Sequence, residues 1–111
     1  MKLRDLAGQL ALNVIQPQGN FDVVVSGGYT SDLLSDVMGN AKERNVWITC
    51  QTHENIVAVA KLKNLEAVIL VNGRKPDDAA LKKAREENVV IFSTPEPEFS
   101  ITGVLYNLFK K

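Results

Sequence analysis

Two residues able to do nucleophilic or metal chemistry, the only cysteine and the only histidine, lie close together in this chain. Cys50 and His53 stand in ITCQTHENIVAVA, residues 48–60, between an apolar strand-like run and an apolar helix-like run. A structural zinc site takes four such ligands and a nucleophilic pair needs a third orienting group, so neither a metal site nor a catalytic pair is expected. Cys50 is interpreted as a small buried residue. His53 either hydrogen-bonds its turn or contacts a ligand or partner.

A second group of residues has types and positions that fit either a functional or a structural role. Asp32 and Asp36 are four residues apart, which is the spacing of one helix face, so they could bind a cation or serve only capping and solvation. Trp47 and Met38 are expected in the core or in a dimer interface. Gly103, inside an apolar run, predicts close packing against another backbone.

The hydrophobic pattern predicts the elements that position these residues. Residues 3–10 read as a short amphipathic helix. The strands ALNVIQ and FDVVVS are joined by the turn PQGN, and this short connection predicts an antiparallel hairpin or neighbouring strands at one edge of the sheet. Three further strands then alternate with helices, in the order LLSDVMGN, VWIT, IVAVAKLK, AVILV, DAALKKAREE, VVIFS and FSITGVLYNLF.

This order predicts an α/β fold in one domain, residues 1–111. Strands such as AVILV and VVIFS are apolar throughout, which is typical of a parallel sheet covered on both faces. The predicted architecture is a mainly parallel sheet built from consecutive βα units, with helices on both faces, plus the N-terminal helix and the short hairpin.

In an open parallel sheet, ligands bind at the carboxyl ends of the strands. Small polar loops follow the predicted strands here, and helix N-termini with the charge of Arg74 favour an anion. We therefore predict a ligand-binding rim. Its residues are Gly27, Gly28, Thr30, Ser31, Asp32, Gln51, Thr52, His53, Asn72, Gly73 and Arg74. The structural alternative is that the glycines only permit tight turns and that Arg74 is a solvated surface charge.

Composition narrows the classes of partner. The 13 basic and 13 acidic residues cancel and form no basic stripe, which argues against nucleic acid or a charged membrane surface as a partner. The N-terminus MKLRDLAGQL mixes charges into its apolar pattern, unlike a signal peptide. A single cysteine forms no internal disulfide, so a cytoplasmic location is expected. No cofactor is expected.

Residues 22–109 resemble the DRTGG domain family, especially its small stand-alone members. The resemblance rests on SDLLSDVM, QTH followed by VAVA, VNGR followed by PD, and STP. Gln51-Thr52-His53 aligns where many members have Gly-Asp-Arg, and Val71-Asn72-Gly73 where they have Thr-Gly-Gly. Related domains stand beside catalytic ones in phosphotransacetylases and in pyrophosphatases with CBS domains, and at the N-terminus of HPr kinase. This chain has no phosphate-cradling G-x-x-x-x-G-K-[ST] loop of its own.

The resemblance implies a cytoplasmic regulatory or accessory module, often dimeric, and in stand-alone members linked to hydrogenase and redox metabolism. We expect a non-enzymatic homodimer that binds a nucleotide or phosphometabolite, or a redox or hydrogenase-associated protein. One alternative is a small enzyme acting on a phosphorylated or acyl substrate, with His53 as acid/base. Another is a structural subunit of a redox complex.

Overall fold

The computed structural model describes residues 1–110, which form five helices and five strands. In chain order the elements are α1 (Leu3–Gln9), β1 (Asn13–Gln16), β2 (Gly27–Thr30), α2 (Leu34–Asn40), β3 (Asn45–Thr49), α3 (Asn55–Leu62), β4 (Ala67–Leu70), α4 (Asp78–Glu87), β5 (Val90–Ser93) and α5 (Glu98–Phe109). No helix in this described part is long and apolar enough to cross a membrane.

The five strands form one sheet in the order β1-β5-β4-β3-β2. Strands β2 to β5 run parallel, and β1 pairs antiparallel with β5 at one edge. Every residue of β3, β4 and β5 is buried, as expected for parallel strands with cover on both faces. The predicted mainly parallel α/β fold is confirmed.

The helices divide between the two faces because of the strand order. Each of β3, β4 and β5 lies beside the strand before it, and crossovers of one hand place the connecting α2, α3 and α4 on one face. Trp47 is fully buried in the core on that face and donates its indole N–H to the Ser31 carbonyl at 2.8 Å. Trp47 is therefore a core residue. Helices α1 and α5 cover the opposite face, with Leu3, Leu6 and Ile101 in its core.

The predicted N-terminal hairpin is wrong. Strand β1 pairs with β5, and FDVVVS does not form a strand beside it. Instead, residues 21–25 bond to the N-terminus through Leu3 N–H to Val23 O and Val25 N–H to Met1 O, at 2.9 and 2.8 Å. Phe21 packs edge-on against Phe92, with ring centroids 5.9 Å apart. Phe21, Val23 and Val25 thus pack with α1 against the sheet face, while Val24 is 54% exposed and the segment lies outside the sheet.

Candidate functional site

Asp32 joins the loops that follow β2 and β3 at the carboxyl edge of the sheet. Its Oδ1 accepts hydrogen bonds from the Thr49 hydroxyl at 2.8 Å and from the Cys50 N–H at 2.7 Å. Gln51 donates its side-chain amide to the Asp32 carbonyl at 2.8 Å. The two loops are therefore held in a fixed relation by a carboxylate and an amide.

The segment after β5 crosses this same edge. Thr94 donates its N–H to Leu70 O at 2.9 Å and accepts from the Gly73 N–H at 2.8 Å, while the Asn72 N–H donates to Glu96 O at 3.0 Å. The chain then enters α5 at Glu98, beside Asp32 and Cys50. Residues 94–97 thus cover the carboxyl end of β4, so the rim is not an open crevice along its whole length.

Three side chains converge where this segment ends. One oxygen each of Asp32 and Glu98, together with the Cys50 sulfur, lie within 4.8 Å of one another. Burial, followed by the influence of Asp32, raises the pKa of Glu98 to about 7, and its Oε1 is buried without a hydrogen-bond partner among residues 1–110. A proton held by Glu98 and directed at Asp32 accounts for this otherwise unpaired oxygen. Glu98 was missed from the sequence, where it reads as an ordinary acidic residue in a first helical turn.

The pKa values of Asp32 and Cys50 are shifted in opposite directions. Burial raises the pKa of Asp32, but hydrogen bonds from Glu98, Cys50 and Thr49 outweigh it, so the pKa lies below its ordinary value. Burial, followed by the influence of Asp32, raises the pKa of the Cys50 thiol. A proton-holding thiol is a poor nucleophile and a poor metal ligand, since both roles need the thiolate.

His53 is exposed and supports the local turn. Its Nδ1 accepts the N–H of Asn55, the first residue of α3, at 3.1 Å. Neither Asp32 nor Glu98 hydrogen-bonds to His53. This geometry agrees with a histidine that organises a helix start, and it leaves the imidazole without the orienting carboxylate that an acid/base role uses.

Arg74 is an exposed charge at the end of a tight turn. Asn72 and Gly73 adopt left-handed conformations, with φ of 57° and 67°, which turn the chain after β4. The Arg74 guanidinium forms no ion pair with any carboxylate of residues 1–110. It lies near enough to Cys50 to favour the thiolate slightly. Arg74 is therefore available to an outside anion.

The other predicted rim residues are only partly brought together. Thr52 lies on the rim, and its carbonyl accepts the Asp77 N–H at 3.0 Å. Thr30 instead hydrogen-bonds Thr102 of α5 at 2.8 Å. The Ser31 hydroxyl accepts the Leu33 N–H at 3.2 Å and so organises the turn before α2.

Two placements predicted from the sequence are corrected. Gly27 and Gly28 open β2 beside Asn45 and Val46, at the amino end of the strands, so they lie away from the rim. A Cβ at Gly28 would overlap the Cδ2 methyl of Leu105, so Leu105 would have to shift if a larger residue replaced this glycine.

The expected pairing of Asp32 with Asp36 on one helix face does not form. Asp32 precedes α2, while Asp36 lies within it and accepts hydrogen bonds from Tyr29 and Asn40, all at 2.9 Å.

The fold is similar to that of a solved regulatory protein. The match is a crystal structure of the CBS and DRTGG domains of the regulatory region of Clostridium perfringens pyrophosphatase, complexed with the activator diadenosine tetraphosphate. The TM-score is 0.75 at 14% identity, and the match covers 94% of this chain and 45% of that chain. No family model and no curated protein matches the sequence. The likeness supports the DRTGG-like fold that the motifs predict.

Proposed function

We propose that this chain is a regulatory or accessory module that binds a small anionic ligand, a nucleotide or a phosphorylated metabolite, at the carboxyl rim of its sheet. The observation that carries the proposal is Arg74, an exposed cation without an ion-pair partner among residues 1–110, placed where the rim loops meet. A free guanidinium offers a planar fork of donors that matches phosphate and carboxylate oxygens.

The rim is preorganised around Arg74. Its own N–H bonds to Val71 O at 3.0 Å, Gly73 is tied to Thr94, and the Thr52 carbonyl is tied to the N–H of Asp77. These backbone bonds link the loops after β3, β4 and β5. A site whose loops are already fixed loses little conformational entropy when a ligand binds.

The nearby acidic groups repel an incoming anion less than two free carboxylates would. Glu98, with a pKa of about 7, carries a proton for much of the time at neutral pH. The charge of Asp32 is engaged by the N–H and O–H donors described above. The Arg74 charge therefore remains available for an outside anion, and ligand binding should weaken as Glu98 ionises at higher pH.

The structural neighbour makes a nucleotide the first ligand class to test, because it was solved with a dinucleotide activator. We extend the proposal to a homodimeric module in the cytoplasm, as the sequence resemblance implies. The rival within it is a protein partner, a redox or hydrogenase-associated protein, that presents an acidic group to the same rim.

Thermal-shift screening tests the ligand class. ATP, AMP, diadenosine tetraphosphate, acetyl phosphate and inorganic phosphate are added to the purified full chain. A ligand at a hundredfold excess over its dissociation constant adds about 2.7 kcal/mol, which raises Tm by on the order of 10 °C. Arg74→Gln should abolish the shift, while Arg85→Gln, an exposed arginine on α4, should keep it. A shift that survives Arg74→Gln would place the ligand elsewhere, and no shift with any compound would reject the small-ligand proposal.

A further inference from the structure

Helix α5 presents an apolar surface to solvent. After Glu98 its sequence, FSITGVLYNLF, contains no charged residue. Ile101 and Leu105 are buried against the sheet, while Phe99 is 91% exposed and Tyr106 is 66% exposed on the outer side. A surface helix ordinarily carries charged residues on its outer face, so a helix apolar on both sides is typical of one that is covered on both.

Gly103 lies between these two aromatic residues and has no role inside the chain. Among residues 1–110, no atom other than the nearby backbone of α5 itself lies within 4 Å of the position that a Cβ would occupy at Gly103. Glycine inside a helix costs about 1 kcal/mol relative to alanine, and neither packing nor a special φ requires it here. With Thr102 and the two aromatic rings, Gly103 lines a groove of about 440 Å³. A glycine at the base of a groove permits close approach by another molecule.

We propose that a second copy of this chain covers this face, with the two α5 helices crossing antiparallel at Gly103. Phe99 lies four residues before Gly103 and Tyr106 three residues after it, at distances along the axis of about 6 and 4.5 Å. A two-fold axis near Gly103 therefore sets Phe99 of each copy against Tyr106 of the other. Each ring meets a ring and each glycine meets a glycine, which is the self-complementarity that an isologous interface requires.

The charges at the two ends of α5 favour a second copy of the chain as the partner and an antiparallel crossing of the two helices. The acidic Glu96 lies just before the start of the helix, and the basic Lys110 follows its end. An antiparallel crossing brings the acidic end of one copy near the basic end of the other, whereas a parallel crossing brings like charges together. The helix dipoles also favour the antiparallel arrangement, because the positive end of each helix then lies near the negative end of the other.

The available area predicts a small interface. Phe99 and Tyr106 together supply roughly 300 Å² per copy, where a standard interface buries about 800 Å² per partner. Neighbouring apolar residues such as Val104, 49% exposed, add to it. We expect a dimer with a dissociation constant in the micromolar range, on the order of 10 µM. This inference rests on the homodimer part of the proposed function and is independent of its ligand part.

Sedimentation equilibrium of the full chain tests the interface. Wild type should dimerise below about 100 µM. Phe99→Gln and Gly103→Gln should each weaken the dimer by roughly tenfold or more. Leu62→Gln, 69% exposed on α3, and Gly8→Gln on α1, also open at its Cβ, are the matched controls and should not change it. Circular dichroism confirms that each variant is folded.

A monomeric wild type at that concentration would overturn the proposal, and so would a dimer that both α5 variants leave intact. Disulfide trapping tests the direction. Residues 99 and 106 are about 10 Å apart along one helix, too far for a disulfide within a chain. On mild oxidation of variants that also carry Cys50→Ser, Phe99→Cys with Tyr106→Cys should give covalent dimers, while Phe99→Cys alone should not. Crosslinking by Phe99→Cys alone would indicate parallel helices.

Ligand titration separates this inference from the rim proposal. At about 10 µM, Phe99→Gln should be mostly monomeric, and it should still bind any nucleotide that binds wild type, because Arg74 is unchanged. If wild type dimerises but binds none of the tested compounds, the rim proposal is rejected and the interface proposal stands. If wild type is monomeric but binds a compound, the interface proposal is rejected and the rim proposal stands.

Discussion

At the residue scale, the carboxyl pair Asp32–Glu98 connects the rim to α5. Burial raises the pKa of Glu98 to about 7, from an ordinary value of 4.5, because ionisation would place a second charge beside Asp32 in a partly desolvated position. The proton on Glu98 then completes a hydrogen bond between the two carboxyl groups. The start of α5 is thereby fixed to the loops after β2 and β3 while that proton is present.

This pair predicts a stability that falls as pH rises. The folded protein binds the Glu98 proton more tightly than the unfolded chain does, so the stabilisation is complete below about pH 4.5 and is lost as pH passes through 7. Allowing for partial exposure, the free energy of unfolding should drop by roughly 1 to 2 kcal/mol between about pH 5 and pH 8. Urea denaturation at a series of pH values measures this drop.

The control variants follow from the same geometry. Glu98→Gln stays neutral at every pH and can still donate to Asp32, so most of the slope should disappear. Glu96→Gln, exposed and two residues away, should keep the wild-type slope. An unchanged slope in Glu98→Gln would show that Glu98 does not hold the proton.

Cys50 provides a second prediction at this scale. Burial and the adjacent Asp32 raise the pKa of its thiol, so less thiolate is present at neutral pH than in a free cysteine. The reaction of Cys50 with a disulfide reagent should therefore be slower than that of free cysteine and should become faster in Asp32→Asn. A Cys50 that reacts faster than free cysteine would indicate an activated thiol and would reopen a catalytic role.

At the element scale, a buried amide fastens the edge strand β1 to the molecule. Gln16 is fully buried; its Nε2 donates to Val89 O at 2.8 Å and to Gln18 O at 3.0 Å, and its Oε1 accepts the Gln18 N–H at 2.8 Å. These bonds join β1 to the turn between α4 and β5. They also help explain why β1 lies against β5 rather than in the hairpin that the sequence predicts.

Replacing this amide should destabilise the fold. Gln16→Leu leaves the buried Val89 carbonyl without this partner and removes the acceptor of the Gln18 N–H, at a cost of about 1 to 3 kcal/mol. Urea denaturation should show that loss, whereas Gln18→Leu, whose side chain is exposed, should stay within about 0.5 kcal/mol of wild type. Equal stabilities for Gln16→Leu and wild type would mean that main-chain pairing alone holds β1.

The elements that were predicted correctly have strong local signals. AVILV and VVIFS are continuous apolar runs, and DAALKKAREE begins with Asp78 directly after Pro76 and Asp77. FDVVVS carries an equally good strand signal, and its failure is a tertiary effect. Phe21, Val23 and Val25 pack with α1 against the sheet face, and the segment's backbone groups bond to residues 1–4. Local pattern cannot distinguish burial in a sheet from burial against a helix.

At the scale of the whole molecule, parallel topology made much of the rim predictable. Strand ends that share an edge bring Gln51 into contact with the Asp32 carbonyl and place Arg74 in the loop after the adjacent strand β4. The crossing of residues 94–97 to α5 was not predictable, because it depends on which face the last helix covers. That crossing brings Glu98 to Asp32 and closes part of the rim. The missed site residue is thus a consequence of topology rather than of a local motif.

The most direct test of the ligand proposal is isothermal titration calorimetry of diadenosine tetraphosphate and ATP into the full chain, with Arg74→Gln and Arg85→Gln in parallel. We predict that at least one of the two nucleotides binds to wild type and to Arg85→Gln. Losing the guanidinium in Arg74→Gln should weaken that binding at least tenfold, about 1.4 kcal/mol. Equal binding by wild type and Arg74→Gln, or no binding to wild type at all, would contradict a nucleotide site at the carboxyl rim.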